Sequence, residues 1–133
     1  MLEDDAKAEI VRNDNPLMLA PSVTVMQAAR QMDSNHVSAV LVIEGEGKLV
    51  GIFTGRDAIT RVLAKGMDPV TTPLAEVITY QPVTLTPLNT ATEALRLMQG
   101  AHCRHLPIVD AGKVVGMVSR AAFPIAEEEP LEA

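Results

Sequence analysis

Residues 16–43, PLMLAPSVTVMQAARQMDSNHVSAVLVI, align without a gap on residues 82–109, PVTLTPLNTATEALRLMQGAHCRHLPIV. Eight positions are identical: Pro16/Pro82, Leu19/Leu85, Pro21/Pro87, Thr24/Thr90, Ala28/Ala94, Arg30/Arg96, Met32/Met98 and His36/His102. One residue is then dropped, and the match resumes at GKLVGIFT, residues 47–54, against GKVVGMVS, residues 112–119. A period of 66 and then 65 residues, in two copies, is too long for a short solenoid unit. It predicts two equivalent subdomains packed about a pseudo-twofold axis, with clefts between them.

Each copy predicts the same order of elements. A short extended segment, residues 17–19 or 83–85, comes just before a proline. Thr24-x-x-Gln27 and Thr90-x-x-Glu93 then have the spacing of capping boxes, in which side-chain oxygens take up free backbone N–H groups at a helix start. Val25, Ala28, Ala29 and Met32, like Ala91, Ala94, Leu95 and Met98, fall on one helical face. A β-branched run, residues 37–43 or 106–109, leads through a Gly-containing turn to a second strand, residues 49–53 or 114–118. A helix follows from about residue 54 to 65, with Gly66 placed as its C-cap. Residues 67–81, with Pro69 and Pro73, read as a linker with a helical turn at 74–78. A last helix in the second copy conflicts with Pro124, which removes a hydrogen bond and clashes in a helix interior. The domain reading is an acidic lead-in at 1–15, a first repeat at 16–66, a linker at 67–81, a second repeat at 82–126 and an acidic tail at 127–133.

Composition narrows the function. The length fits one compact domain, and 47% apolar residues suffice for a core. Aromatics are only 2%, so the core is aliphatic and a bound base meets aliphatic walls. A net charge of −6 argues against nucleic acid, which needs a basic surface. With one cysteine, Cys103, no intramolecular disulfide forms. No apolar run reaches the ~20 residues of a membrane span, and the start MLEDDAKAEIVR is no signal peptide. The expected location is the cytoplasm, with no membrane partner.

The β-α-β-β-α order, the repeat, and the stretches GKLVGIFTGRDAI and HLPIVDAGKVVGMVS resemble a tandem CBS-domain pair, also called a Bateman module. The resemblance covers residues 16–123. It implies an α/β (α+β) fold of two small sheets with helices on their outer faces, and pairing of two modules into a homodimer. It also implies regulatory binding of adenosine-containing ligands (AMP, ADP, ATP, sometimes NAD or S-adenosylmethionine). No cofactor is required.

In that family the ligand cleft is signalled by Gly-h-h-Thr/Ser-x-x-Asp/Asn, where h is apolar. The first copy has it as Gly51-Ile52-Phe53-Thr54-Gly55-Arg56-Asp57. The Asp57 carboxylate can accept from both ribose hydroxyls, and such charge-assisted bonds are the strong ones. Thr54 adds a polar contact. The base is expected against Ser38, Ala39 and Val40, with Met18 on the wall. Thr54 and Asp57 also have the spacing of an N-cap and N3 pair, so they serve a cap, a ribose site or both. The second copy carries Ala122 where the first has Asp57. A nucleotide there has only Thr84, Ser119, backbone groups and apolar walls. The resemblance implies phosphate contacts from Arg104 and His105, just before Leu106 and Pro107. Pro107 counts among the contact positions, and Arg56 and Arg120 are further candidates. His102-Cys103-x-His105 lacks the four ligands of a closed zinc site, so no metal is expected. Three readings follow. The leading one is a non-catalytic nucleotide sensor with a regulated partner protein. The alternative is a dimerisation or interaction module with degenerate sites. An enzyme ranks last, since no nucleophile and base stand together.

Overall fold

The computed structural model describes residues 9–121. In chain order they form β1 (Ile10–Asn13), β2 (Met18–Leu19), α1 (Val25–Asn35), β3 (Ala39–Glu44), β4 (Lys48–Thr54), α2 (residues 55–63), a 3-10 turn (Leu74–Glu76), β5 (Thr79–Tyr80), α3 (Ala91–Ala101), β6 (His105–Asp110) and β7 (Lys113–Arg120). The fold is α+β, with the two predicted repeats. The helix doubted at Pro124 lies outside the described residues.

Both capping boxes form. Thr24 Oγ1 accepts from Gln27 N–H while Gln27 accepts from Thr24 N–H, and Thr90 and Glu93 do the same. Each helix ends on a histidine, His36 or His102, in the left-handed region at φ 56° and 55°. Histidine is among the residues that enter this region most readily. The linker also closes the start of α1, because Val25 and Met26 N–H groups donate to Thr72 and Pro69 carbonyls at 2.9 Å. These are donors that a helix start leaves without an intrahelical acceptor.

The hairpins β3–β4 and β6–β7 are antiparallel, and each has a register shift at the same repeat position, Val42/Ile43 and Ile108/Val109. The strand order is β1-β7-β4-β3-β2, with β5 on β4 and β6 on β7. Among the described residues the two halves meet in the ladder at one pair, Lys48 opposite Lys113, which joins two small sheets into one of seven strands. Each sheet is completed by chain that precedes the other repeat. β1 lies along β7 from Ile10↔Arg120 to Asn13↔Met117, and β5 lies along β4 at Gly51↔Tyr80 and Ile52↔Thr79. These strands fall within the stretches read as lead-in and linker. Two to four residues are too few to carry a two-residue period.

β3 is buried on both faces. Val40 and Val42 join Phe53, Ala28, Met32 and Val62 in the core under α1 and α2. Ala39 and Leu41 instead meet Ile52 and Met117 in a cluster between the repeats. A strand covered on both faces reads as a continuous apolar run, as VSAVLVI does. The second repeat packs Leu85, Ala94, Met98, Leu106, Ile108 and Val118 under α3.

Candidate functional site: the cleft between the repeats

β4 ends at Thr54, whose extended backbone hands the chain to α2. Asp57 N–H donates to Thr54 Oγ1 at 3.2 Å. Asp57 Oδ2 accepts from Thr54 N–H at 2.9 Å and from Thr54 Oγ1 at 3.1 Å. Asp57 Oδ1 faces Arg61 Nε at 3.5 Å. The cap anticipated from the spacing is therefore present. A carboxylate has about four acceptor positions, so capping leaves capacity for a ligand.

Asp57, Thr54, Arg56 and Ile52 form one wall of a cleft of about 400 Å³. Thr79, near the end of the linker, and Pro82 and Val83, at the start of the second repeat, form its floor. The opposite wall is the end of α3 and the turn after it, from Ala101 through His105. The fold thus brings together five expected residues: Thr54, Arg56 and Asp57 from the first repeat, Arg104 and His105 from the second.

The remaining expected positions lie elsewhere. Ser38 is exposed and outside the cleft lining, its hydroxyl 3.2 Å from Nε2 of the lining residue His105. Ala39 and Val40 are buried and committed to the two cores described above. Pro107 is also fully buried. Met18 borders a separate shallow groove with Pro21 and Ile43. Thr84 is exposed. Ser119 pairs with His105 in the β6–β7 ladder, and Arg120 forms an ion pair with Glu9 at 3.5 Å. Thr79, Pro82, Val83, Ala101, His102 and Cys103 line the cleft from outside the motif, and Ile52 does so from an apolar motif position.

Gly51 explains one of these. A Cβ there would lie 2.5 Å from the Thr79 carbonyl oxygen and 2.7 Å from Ile78 Cδ1. Only glycine admits so close a backbone neighbour. The motif glycine thus carries β5, and with it Thr79, to the cleft.

Burial, and then the neighbouring Arg104 charge, hold His105 below the usual imidazole value of 6.5. At neutral pH it is a hydrogen-bonding ring rather than a fixed cation. Burial pushes the Cys103 thiol up, so it is protonated and acts as apolar wall. Arg56 and Arg104 supply positive charge. The first repeat contributes a hydroxyl, a carboxylate and a guanidinium, the second a guanidinium and an imidazole, and Ile52, Pro82, Val83 and Ala101 add apolar lining. That pattern suits a small ligand with a diol, an apolar ring and an anionic group. Among the described residues no three His, Cys, Asp or Glu side chains converge to hold a metal. No described helix is long and apolar enough to cross a membrane.

The profile of the family described as CBS domain matches residues 7–64 and 74–123. The chain belongs to the CBS-domain family. The repeat, the two hairpins and the inter-repeat cleft are thus those of a tandem CBS pair, a regulatory domain type. A CBS domain-containing protein of Arabidopsis thaliana, CBSCBSPB2, is 36% identical over 108 residues, which are 81% of this chain and 20% of that protein. The chain therefore spans about a fifth of the length of this plant relative. An uncharacterized conserved protein from Pyrococcus horikoshii has a similar structure, with a TM-score of 0.78 and 29% identity, covering 96% of this chain and 94% of that one. CBS domain protein PAE2072 from Pyrobaculum aerophilum, complexed with AMP, matches with a TM-score of 0.71 and 23% identity over 78% of this chain and 79% of that one.

Proposed function

We propose that the chain is a non-catalytic regulatory module that binds one adenosine-containing nucleotide in the cleft between its repeats. The observation that carries this reading is the meeting of Asp57 and Thr54 with Arg104 and His105 across one cleft. Asp57 would accept from the ribose hydroxyls, and Ile52, Pro82 and Val83 would flank the base. Arg104 and Arg56 would face the phosphate, with His105 as a hydrogen-bond partner. The AMP complex of the Pyrobaculum aerophilum protein is a precedent for this ligand class on the same fold. Binding regulates only if one arrangement of the repeats, or of two modules, binds the nucleotide better than another.

Dimerisation is the second reading, as a property of the sensor or in its place. Ile59 and Leu63, one turn apart on α2, are 60% and 65% exposed. A second module covering them would bury apolar area that a lone chain leaves in water.

The test is a melting series with AMP, ADP, ATP, NAD and S-adenosylmethionine, for the wild type and for Asp57→Asn, which keeps a capping oxygen. A ligand that binds only the folded state stabilises it by about 2.7 kcal/mol at a hundredfold excess over Kd. The sensor reading expects a rise with at least one nucleotide and its loss in the variant. No rise with any of them, in a protein that remains dimeric, leaves the interaction module.

A further inference from the structure

We propose that Arg61 is a positioning residue that couples the cleft carboxylate Asp57 to the segment joining the two repeats. Its Nε lies 3.5 Å from Asp57 Oδ1. Its Nη1 donates to the Ile78 carbonyl at 2.9 Å and reaches the Val77 carbonyl at 3.5 Å. A guanidinium has separate donors fixed in one plane. One side chain therefore grips α2 and the linker together, which a lysine ammonium on a flexible stem does with less constraint.

The position of this grip gives it consequence. Val77 and Ile78 are buried, and the next two residues form β5 on β4. Thr79 of β5 lines the cleft, and Pro82 and Val83 follow it there. A ligand that donates hydrogen bonds to Asp57 competes with Arg61 for the same carboxylate. The guanidinium then bears more heavily on the linker carbonyls, and the register of floor to wall responds. The second repeat lacks the device, since Asp57 and Arg61 correspond there to Ala122 and Ala126. Carboxylate and arginine are absent as a pair.

The experiment is amide hydrogen exchange over residues 78–81 in the ligand-free protein, for wild type, Arg61→Gln, Asp57→Asn and the double variant. An ion pair with one half-exposed partner contributes modestly, so each single change is expected to speed exchange about two- to fivefold. The double variant is expected to exchange no faster than Arg61→Gln alone. Multiplying effects, or an Asp57→Asn variant with wild-type exchange, would overturn the coupling. A second arm adds AMP and rests on the nucleotide reading above. AMP is expected to change exchange over residues 78–81 in the wild type, and Arg61→Gln to abolish that change while still binding AMP. An unchanged response in Arg61→Gln would count against the proposal. Absence of AMP binding to the wild type would defeat the nucleotide reading, while the ligand-free arm still decides the role of Arg61.

Discussion

After its hairpin the first repeat reads Thr54-Gly55-Arg56-Asp57, and the second reads Ser119-Arg120-Ala121-Ala122. The backbone frame leading into both turns is the same. Gly55 N–H donates to the Ser38 carbonyl at 3.0 Å, and Arg120 N–H donates to the Arg104 carbonyl at 2.9 Å, at equivalent positions. The side chains are not the same. The first repeat holds the carboxylate and the cap, and has small Ser38 and Ala39 where its hairpin begins. The second repeat puts Arg104 and His105 at those two positions and has Ala122 where the first has Asp57. On the proposed reading the duplicated fold divides one ligand's chemistry around this cleft, with the carboxylate and Arg56 from the first repeat and Arg104 and His105 from the second. Pseudosymmetry governs the frame, and asymmetry governs the site.

The largest test of this comparison concerns the cores. Phe53 is fully buried, and its counterpart is Val118. Phe53→Ala is expected to cost about 3–5 kcal/mol, and Val118→Ala about 1.5–3 kcal/mol, measured by urea unfolding. Equal losses would mean that the repeats share their packing load evenly. The motif glycines come next. A Cβ at Gly51 meets the Thr79 carbonyl at 2.5 Å, whereas at Gly116 the nearest atom, the Asn13 carbonyl oxygen, is 3.2 Å away. Gly51→Ala should cost about 1–3 kcal/mol by overpacking and should weaken any ligand that touches Thr79. Gly116→Ala should cost less than ~1 kcal/mol, since a shift of a few tenths of an ångström relieves it.

The hairpin turns differ in a smaller way. The second hairpin turns on Ala111 and Gly112, both at positive φ, 53° and 82°. Such turns favour Asn-Gly, and a non-glycine residue there costs roughly 1–2 kcal/mol. Ala111→Asn is expected to raise stability by about 0.5–1 kcal/mol, with no effect on the cleft. The last comparison sets His105 against Ala39. With its folded pKa below 6.5, the unfolded chain binds more protons between the two values. The His105 contribution to stability is therefore complete above about pH 6.5 and is lost as pH falls towards the folded value. His105→Gln should flatten stability against pH across that window, while Ala39 offers the first repeat no such dependence. An unchanged slope would mean that His105 is not desolvated.

Much of this was legible in the sequence, and the reason differs by element. Thr24 and Thr90 announce their helices because a capping box is local chemistry at fixed spacing. The hairpins follow from apolar runs broken by glycine. Thr54 and Asp57 were legible as a pair, and the structure has them capping α2 and lining the cleft together. By contrast, β1 and β5 are short edge strands specified by tertiary pairing, so no local pattern marks them. Thr79, Pro82 and Val83 reach the cleft only through that pairing, with Gly51 as the one sequence trace of the close approach. Asp57 and Arg61 have the i,i+4 spacing of a helical ion pair, a signal the motif reading passed over, whereas the link to carbonyls sixteen and seventeen residues away has no local trace.

The central claim is that one cleft binds and its pseudosymmetric counterpart does not. Isothermal titration of AMP into the wild-type protein measures this directly through stoichiometry. The account predicts one nucleotide per chain, lost in Asp57→Asn and retained in Ser119→Ala. Two nucleotides per chain, or binding that survives Asp57→Asn and fails in Ser119→Ala, would contradict it.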